Sequence, residues 1–130
     1  MLIDTSGFFS VHSEADKNHV QAQEIYAKSW LRLTTNYILD EYVALALVRG
    51  LSRKETLVFS EEILYDETVE IVWVDKELHT KAVELLKKRR DKNYSLCDAV
   101  SFVVMQRRKV SESLTTDKHF EQEGFIRLLK

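Results

Sequence analysis

Leu31-Arg32-Leu33-Thr34-Thr35-Asn36-Tyr37-Ile38-Leu39-Asp40-Glu41-Tyr42 changes its hydrophobic period part-way along, and that change sets the fold class. Leu31, Leu33 and Thr35 alternate with Arg32 and Thr34, the period of a strand. From about Ile38 to Arg49 the chain is nearly all apolar, reads as a buried helix, and stops at Gly50, a residue suited to a left-handed C-terminal cap. Ser52-Arg53-Lys54-Glu55 then has the form of a capping box, so a second helix starts at once and runs to about Tyr65. Val69-Glu70-Ile71-Val72-Trp73-Val74, rich in β-branched and aromatic residues, is the next strand.

The same alternation extends both ways. Upstream, Leu2-Ile3 reads as a short buried strand, His12 to Asn18 is polar, and Val20, Ala22, Ile25, Tyr26 and Trp30 follow helical spacing. Downstream, Leu78, Ala82, Leu85 and Leu86 mark a helix, and Ser95 to Gln106 marks another. Glu112 to Thr116 is a short strand, Phe120 lies on a short helix ending at Gly124, and Ile126 to Leu129 closes as an edge-like strand. Strands alternating with helices imply an α/β fold: a mostly parallel sheet between two helical layers, whose ligands bind outside the carboxyl ends of the strands.

Length and composition bound the function. At 130 residues, with 45% hydrophobic and 31% charged side chains and no linker-like tract, residues 1–130 are expected to form one domain. A single cysteine, Cys97, excludes an internal disulfide framework and suits a reducing compartment. No apolar run approaches the ~18 residues of a membrane span, and Met1 to Phe9 lacks the basic flank of a secretion signal, so a cytoplasmic location without membrane contact is expected. The 19 basic and 21 acidic residues give a formal charge of −2, which in bulk argues against a nucleic-acid binder.

Four carboxylates stand in apolar surroundings, where an unpaired charge is costly. Asp4 follows the first strand, and Glu41 shares a helix face with Ile38, Leu45 and Val48. Asp98 is the only charge between Asn93 and Gln106, and Asp117 follows the strand ending at Thr116. Each also has a plain structural reading: Asp4 and Asp117 as helix N-caps, Asp98 as the capping-box partner of Ser95, Glu41 on an exposed face beside Asp40. Together they place acids near one edge of a sheet, where they repel. A hard divalent cation such as Mg²⁺ or Mn²⁺ removes that repulsion, and such a centre activates water and screens a phosphodiester.

The blocks Asp4-Thr5-Ser6, Thr35 to Glu41, Leu96 to Phe102, and Leu114-Thr115-Thr116-Asp117-Lys118-His119-Phe120 resemble, in order and across the chain, the signature blocks of PIN-domain ribonucleases. The stand-alone size resembles VapC-type toxins. The resemblance implies a three-layer α/β/α sandwich and Mg²⁺- or Mn²⁺-dependent endoribonuclease activity. It places the acidic quartet on Asp4, Glu41, Asp98 and Asp117, as catalytic residues and metal ligands, with Ser6 and Thr115 or Thr116 as supporting hydroxyls. It also implies an RNA substrate, a cognate antitoxin and a homodimer. The last block carries one acid, Asp117, where some members carry two. A non-toxin RNA-processing nuclease and a catalytically silent RNA- or protein-binding module are the alternatives within the same family.

The bulk charge hides segregation. Residues 81–92 carry six basic and two acidic side chains, a local +4, and residues 51–77 carry three basic and eight acidic ones, a local −5. Lys87, Lys88, Arg89, Arg90 and Lys92 are therefore candidates for an RNA-binding rim, with Arg107-Arg108-Lys109 as a second basic patch; both also read as solvated helix ends. Tyr94 and Trp30 are candidates for base stacking, although aromatics in a small domain are usually core. Cys97 reads as a structural thiol, since no cysteine–histidine pairing is visible; His119, two residues past Asp117, is close enough to contact substrate and also reads as a surface residue. Phosphoaspartate chemistry is disfavoured: the haloacid-dehalogenase pattern needs an aspartate where Ser6 stands, and a receiver pattern needs an acidic pair that Leu2-Ile3 does not supply.

Overall fold

The computed structural model describes residues 1–130. The chain runs β1 (Leu2–Ile3), α1 (Thr5–His12), α2 (His19–Lys28), β2 (Arg32–Thr35), α3 (Asn36–Val48), α4 (Arg53–Tyr65), β3 (Val69–Val72), α5 (Lys76–Lys88), α6 (Leu96–Arg108), β4 (Glu112–Leu114), α7 (Lys118–Gln122) and β5 (Ile126–Arg127). The five strands form one sheet in the order β3-β2-β1-β4-β5. Every pairing is parallel, in the three-layer α/β/α arrangement. No helix is long and apolar enough to cross a membrane.

Coverage on both faces explains the strand composition. Leu33, Thr34 and Thr35 of β2 are all buried, so the alternation in the sequence does not become an inside and an outside. One apolar cluster gathers Leu2, Ile3, Phe8, Tyr42, Phe102 and Leu114, and a second holds Leu33, Leu78, Ala82, Ala99, Val100 and Val104. Each fully buried aliphatic or aromatic side chain contributes about 1.5–3 kcal/mol. The helix after β2 is less buried than its composition implies. Ile38, Leu39, Tyr42 and Ala46 face inward, whereas Asp40 and Val48 are exposed.

The sequence pattern does not announce α1. Thr5, Ser6 and Gly7 are weak helix formers, and the segment spans eight residues, so its stability comes from packing. Gly7 shows why: a Cβ there would stand 2.0 Å from the carbonyl oxygen of Leu114, so only glycine lets α1 lie against β4. Gly50 and Gly124, both with positive φ, end their segments as expected.

Strand register carries the acids to one place. Leu2 pairs with Ser113 and Ile3 with Leu114, which sets Asp4 beside Thr115 one step further along. The Asp4 N–H donates to the Leu114 carbonyl at 3.2 Å. β1 has a neighbour on each side, β2 and β4, and chain order reverses there, the position at which open α/β sheets form their crevice.

Candidate active site

Asp4 occupies the N-cap position of α1, yet its side chain makes no capping hydrogen bond. It is buried instead, with Oδ2 accepting a 2.8 Å hydrogen bond from the Thr115 hydroxyl. Its Oδ1 is buried with no partner in the protein. Burial first, and then the charges of Asp98 and Glu41, raise its pKa to about 7 against the opposing hydrogen bond from Thr115.

The Thr115 hydroxyl is a junction. With its proton donated to an ionised Asp4, it accepts the Asp117 N–H at 3.0 Å and stands 3.1 Å from the Ser6 hydroxyl, which must then donate to it. Ser6 Oγ in turn accepts the Thr116 N–H at 3.0 Å. Ser6 thus joins the network that reaches Asp4 through Thr115. Of the two threonines, it is Thr115 whose hydroxyl reaches Asp4, and Thr116 contributes only its N–H to this network. Thr115 continues the line of β4 beside Asp4, which directs its side chain inward.

Glu41 lies in the second turn of α3, which is fixed because the Thr35 side chain caps it by accepting the Ile38 N–H. Glu41 Oε1 accepts a 2.5 Å hydrogen bond from the Thr5 hydroxyl. Asp40 points to solvent, which resolves the choice between the two adjacent acids. Asp98 fulfils its structural reading in full. Its carboxylate accepts the Ser95 N–H while Ser95 Oγ accepts the Asp98 N–H, a complete capping box. It is also buried, and burial holds its pKa above the ordinary value, with the Asp117 charge acting in the same direction. Capping therefore leaves this side chain within the acidic centre, beside His119 and Asp117.

His119 lies nearer the acids than a surface reading implies. Its Nδ1 lies 3.1 Å from Asp98 Oδ2 and 3.3 Å from Asp117 Oδ1, inside the acidic centre and not on the open surface. The cause is local: Asp117 caps α7 by accepting the His119 N–H at 2.9 Å, so two residues on means the same side of a tight turn. Potential ligand atoms of Asp98, Asp117 and His119 lie within 4.8 Å of one another. Cys97 is buried next to Asp98. Burial and the nearby charges of Glu41, Asp4 and Asp98 push its thiol pKa up, so it stays protonated and unreactive.

None of Asp4, Glu41, Asp98 and Asp117 pairs with a lysine or arginine. A hard oxygen donor set, a raised carboxyl pKa and an unpartnered buried oxygen on Asp4 fit a Mg²⁺- or Mn²⁺-type cation.

The proposed basic rim is less free than its sequence suggests. Arg89 holds Glu123 through two hydrogen bonds of 2.9 and 3.0 Å, and the Tyr94 hydroxyl donates to the same carboxylate at 3.1 Å. Arg107 and Arg108 are likewise engaged by Glu77 and Glu70. Lys92 stands 3.6 Å from Asp91, while Lys87, Lys88 and Arg90 take part in no ion pair. Tyr94 is buried, its ring edge-on to Phe102 at 5.0 Å and to His119 at 5.3 Å, so it stacks on protein and not on bases. Trp30 is almost wholly exposed at the amino end of the sheet, beside Met1 and Glu112, away from the acids.

A parallel sheet with acids beyond β1 and β4 that no lysine or arginine neutralises defines a class. The PIN domain family model matches residues 1–125, and the chain belongs to the PIN-domain family. Its relatives narrow the class to VapC ribonucleases. The chain is 34% identical over 115 residues to a VapC ribonuclease of Archaeoglobus fulgidus, a match covering 84% of this chain and 72% of that protein. It is 26% identical over 127 residues to the 23S rRNA-specific endonuclease VapC20 of Mycobacterium tuberculosis, covering 97% and 95% of the two chains. The crystal structure of that VapC20, a sarcin–ricin loop cleaving toxin, superposes with a TM-score of 0.90 at 25% identity, covering 99% of this chain and 98% of that one.

Proposed function

We propose that residues 1–130 act as one PIN-like domain, a divalent-metal-dependent endoribonuclease that serves as the toxin of a toxin–antitoxin pair. The observation that carries this reading is the cluster of Asp98, Asp117 and His119, with potential ligand atoms within 4.8 Å of one another, beside a buried Asp4 whose pKa is raised by burial and then by the charges of Asp98 and Glu41; no lysine or arginine neutralises any of these acids. The ribonuclease names of the relatives support the reaction class.

Asp4, Asp98 and Asp117 would hold Mg²⁺ or Mn²⁺, with His119 and Glu41 at its edge. The bound cation would supply Lewis acidity toward the phosphodiester and lower the pKa of water. Thr115 and Ser6 keep Asp4 oriented and favour its ionised form. Glu41, held at Oε1 by Thr5, has its second oxygen to orient the attacking water and accept its proton. No protein nucleophile is needed. Lys87, Lys88, Arg90 and Lys92 are the cations of the rim that meet the RNA, since Arg89 is committed to Glu123.

The partners follow the same reading. Leu57, Val58, Leu64 and Tyr65 leave an apolar stripe on α4, suited to a homodimer or to a cognate antitoxin, while Tyr42 and Ile63 belong to the core. A ribosomal RNA loop is the first substrate to try, given the target in the name of the VapC20 relative.

The test is cleavage of RNA by purified protein with Mg²⁺ or Mn²⁺. Asp4→Asn and Asp98→Asn should abolish it and EDTA should stop it. Activity that survives both substitutions, or persists in EDTA, sinks the proposal. The toxin role is separate: induced expression should arrest growth, and co-expression of a neighbouring small reading frame should relieve the arrest.

A further inference from the structure

A second polar feature adjoins the acids. Lys17, Arg49, Arg127 and Lys130 converge on a cleft of about 290 Å³ whose wall includes Ser6 and Thr116. Only one apolar side chain, Leu129, lines it. These cations come from the α1–α2 loop, the end of α3 and the segment from β5 onward, so no basic run in the sequence foreshadows them.

The charges are unevenly balanced. Asp16 lines the cleft and Glu121 stands behind it, two acids against four cations. Asp16 Oδ2 already accepts the Asn18 N–H at 3.1 Å. Arg127 donates to Glu121 and to the Thr116 carbonyl, each at 3.0 Å, which fixes its guanidinium and leaves three of its five N–H donors uncommitted. Lys17 and Arg49 take part in no ion pair, and Arg49 lies over the Phe9 ring at 4.6 Å. Ser6 has its proton committed to Thr115, but the cations, with the Thr116 hydroxyl beside them, form an open polar cleft that suits a phosphate, whose oxygens accept from both.

Position says which phosphate. Ser6 is shared: it lines the cleft, and its hydroxyl lies 3.1 Å from Thr115 Oγ1, itself 2.8 Å from Asp4 Oδ2. Thr116 lines the cleft one residue before Asp117. The cleft and the acidic centre therefore share a wall two hydrogen bonds thick. A strand whose scissile phosphodiester lies over the acids would bring a neighbouring phosphate to the cations.

We propose that the Lys17–Arg49–Arg127 cleft is a subsite for an RNA backbone phosphate adjacent to the one cut. This rests on the nuclease reading of the acids and adds to it where the substrate strand runs.

The experiment uses the full chain carrying Asp98→Asn, so that RNA is bound and not cut. A fluorescein-labelled single-stranded oligoribonucleotide is titrated by anisotropy across about 50 to 200 mM salt. Adding Lys17→Met and Arg49→Met, which keep the apolar stems, should weaken binding about tenfold. The logarithmic salt slope should become shallower by about 0.7 for each phosphate left without its cation. In the otherwise native chain the same pair should raise KM for the oligonucleotide. Equal affinity and equal slope in the two proteins overturn the proposal. So does weaker binding of a labelled acidic peptide with RNA binding untouched, which would assign the cleft to a protein partner. A native chain that cuts no RNA would refute the nuclease reading separately, and the anisotropy comparison would still decide the subsite.

Discussion

The acids at the carboxyl end of the sheet and the arginines along α5 and α6 are both dense in charge, and they are built in opposite ways. Arg89, Arg107 and Arg108 each grip a carboxylate with two nitrogens, to Glu123, Glu77 and Glu70. Asp4, Glu41, Asp98 and Asp117 have no such partner, and the burial of Asp4 and Asp98 makes the lack costly. Partnered surface charge fastens elements together. Acids gathered at a buried edge without a lysine or arginine carry the repulsion that the proposed cation would relieve.

Removing an unpartnered acid should do the most damage. Asp98→Asn keeps the capping-box geometry, since an amide oxygen still accepts the Ser95 N–H, so the fold should survive. RNA cleavage should fall about 10³-fold, the loss expected when several kcal/mol of charge stabilisation in the transition state go. A fall of less than about tenfold would undo the contrast at its root.

Thr115→Val acts one shell further out. It removes the donor to Asp4 Oδ2 and the acceptor for Ser6 and Asp117, and should cost about 10–100-fold in metal affinity or activity. Because that hydrogen bond lowers the Asp4 pKa, its loss should move the acid limb of the rate–pH profile to higher pH. An unmoved limb would mean that Asp4 does not govern it.

Metal-free stability should depend on pH with a definite sign. Asp4, raised from 3.8 to about 7, binds more protons folded than unfolded between those values, and Asp98 is shifted the same way. The contribution of these groups to stability is therefore fully present below about pH 4 and is lost as pH rises through about 7. Divalent cations need the carboxylate form, so the rise in Tm on adding Mg²⁺ should be larger at about pH 8 than at about pH 5. An Mg²⁺-induced shift that shrinks with pH would contradict the assignment.

The arginine pairs should matter least. Glu123→Gln loosens both Arg89 and the Tyr94 hydroxyl and should lower Tm measurably, since the Glu123 side chain is only 5% exposed. Arg107→Ala breaks a pair whose two partners are both about half exposed, and should change Tm less. Neither should alter cleavage per folded molecule by more than a few-fold. A large activity loss in Arg107→Ala would return that arginine to the substrate surface.

Much of this contrast is legible in the sequence, for a physical reason. Period changes at Leu31 to Tyr42, the capping signals at Ser52 and Ser95, and the glycines at 50 and 124 are local, so the order of elements can be read directly. Asp4 and Glu41 stand out because a charge in an apolar stretch is anomalous anywhere. What escapes depends on partners distant in the chain. Helix α1 is secured by Gly7 against Leu114, Thr115 is selected by register with β1, and the Arg89 partner lies 34 residues away. The contact of His119 with Asp98, 21 residues earlier, escapes because a tight turn brings its ring back. The cations of the cleft beside Ser6 come from three separate segments and form no run at all.

Calorimetric titration of Mn²⁺ into the native chain and into Asp98→Asn at about pH 8 is the sharpest test of the buried acids as a metal centre. The native chain should bind Mn²⁺, with release of protons when the titration is repeated at about pH 6, and the variant should bind at least about tenfold more weakly. Equal affinity in the two proteins, or binding in the native chain without proton release across about pH 6 to 8, would refute it.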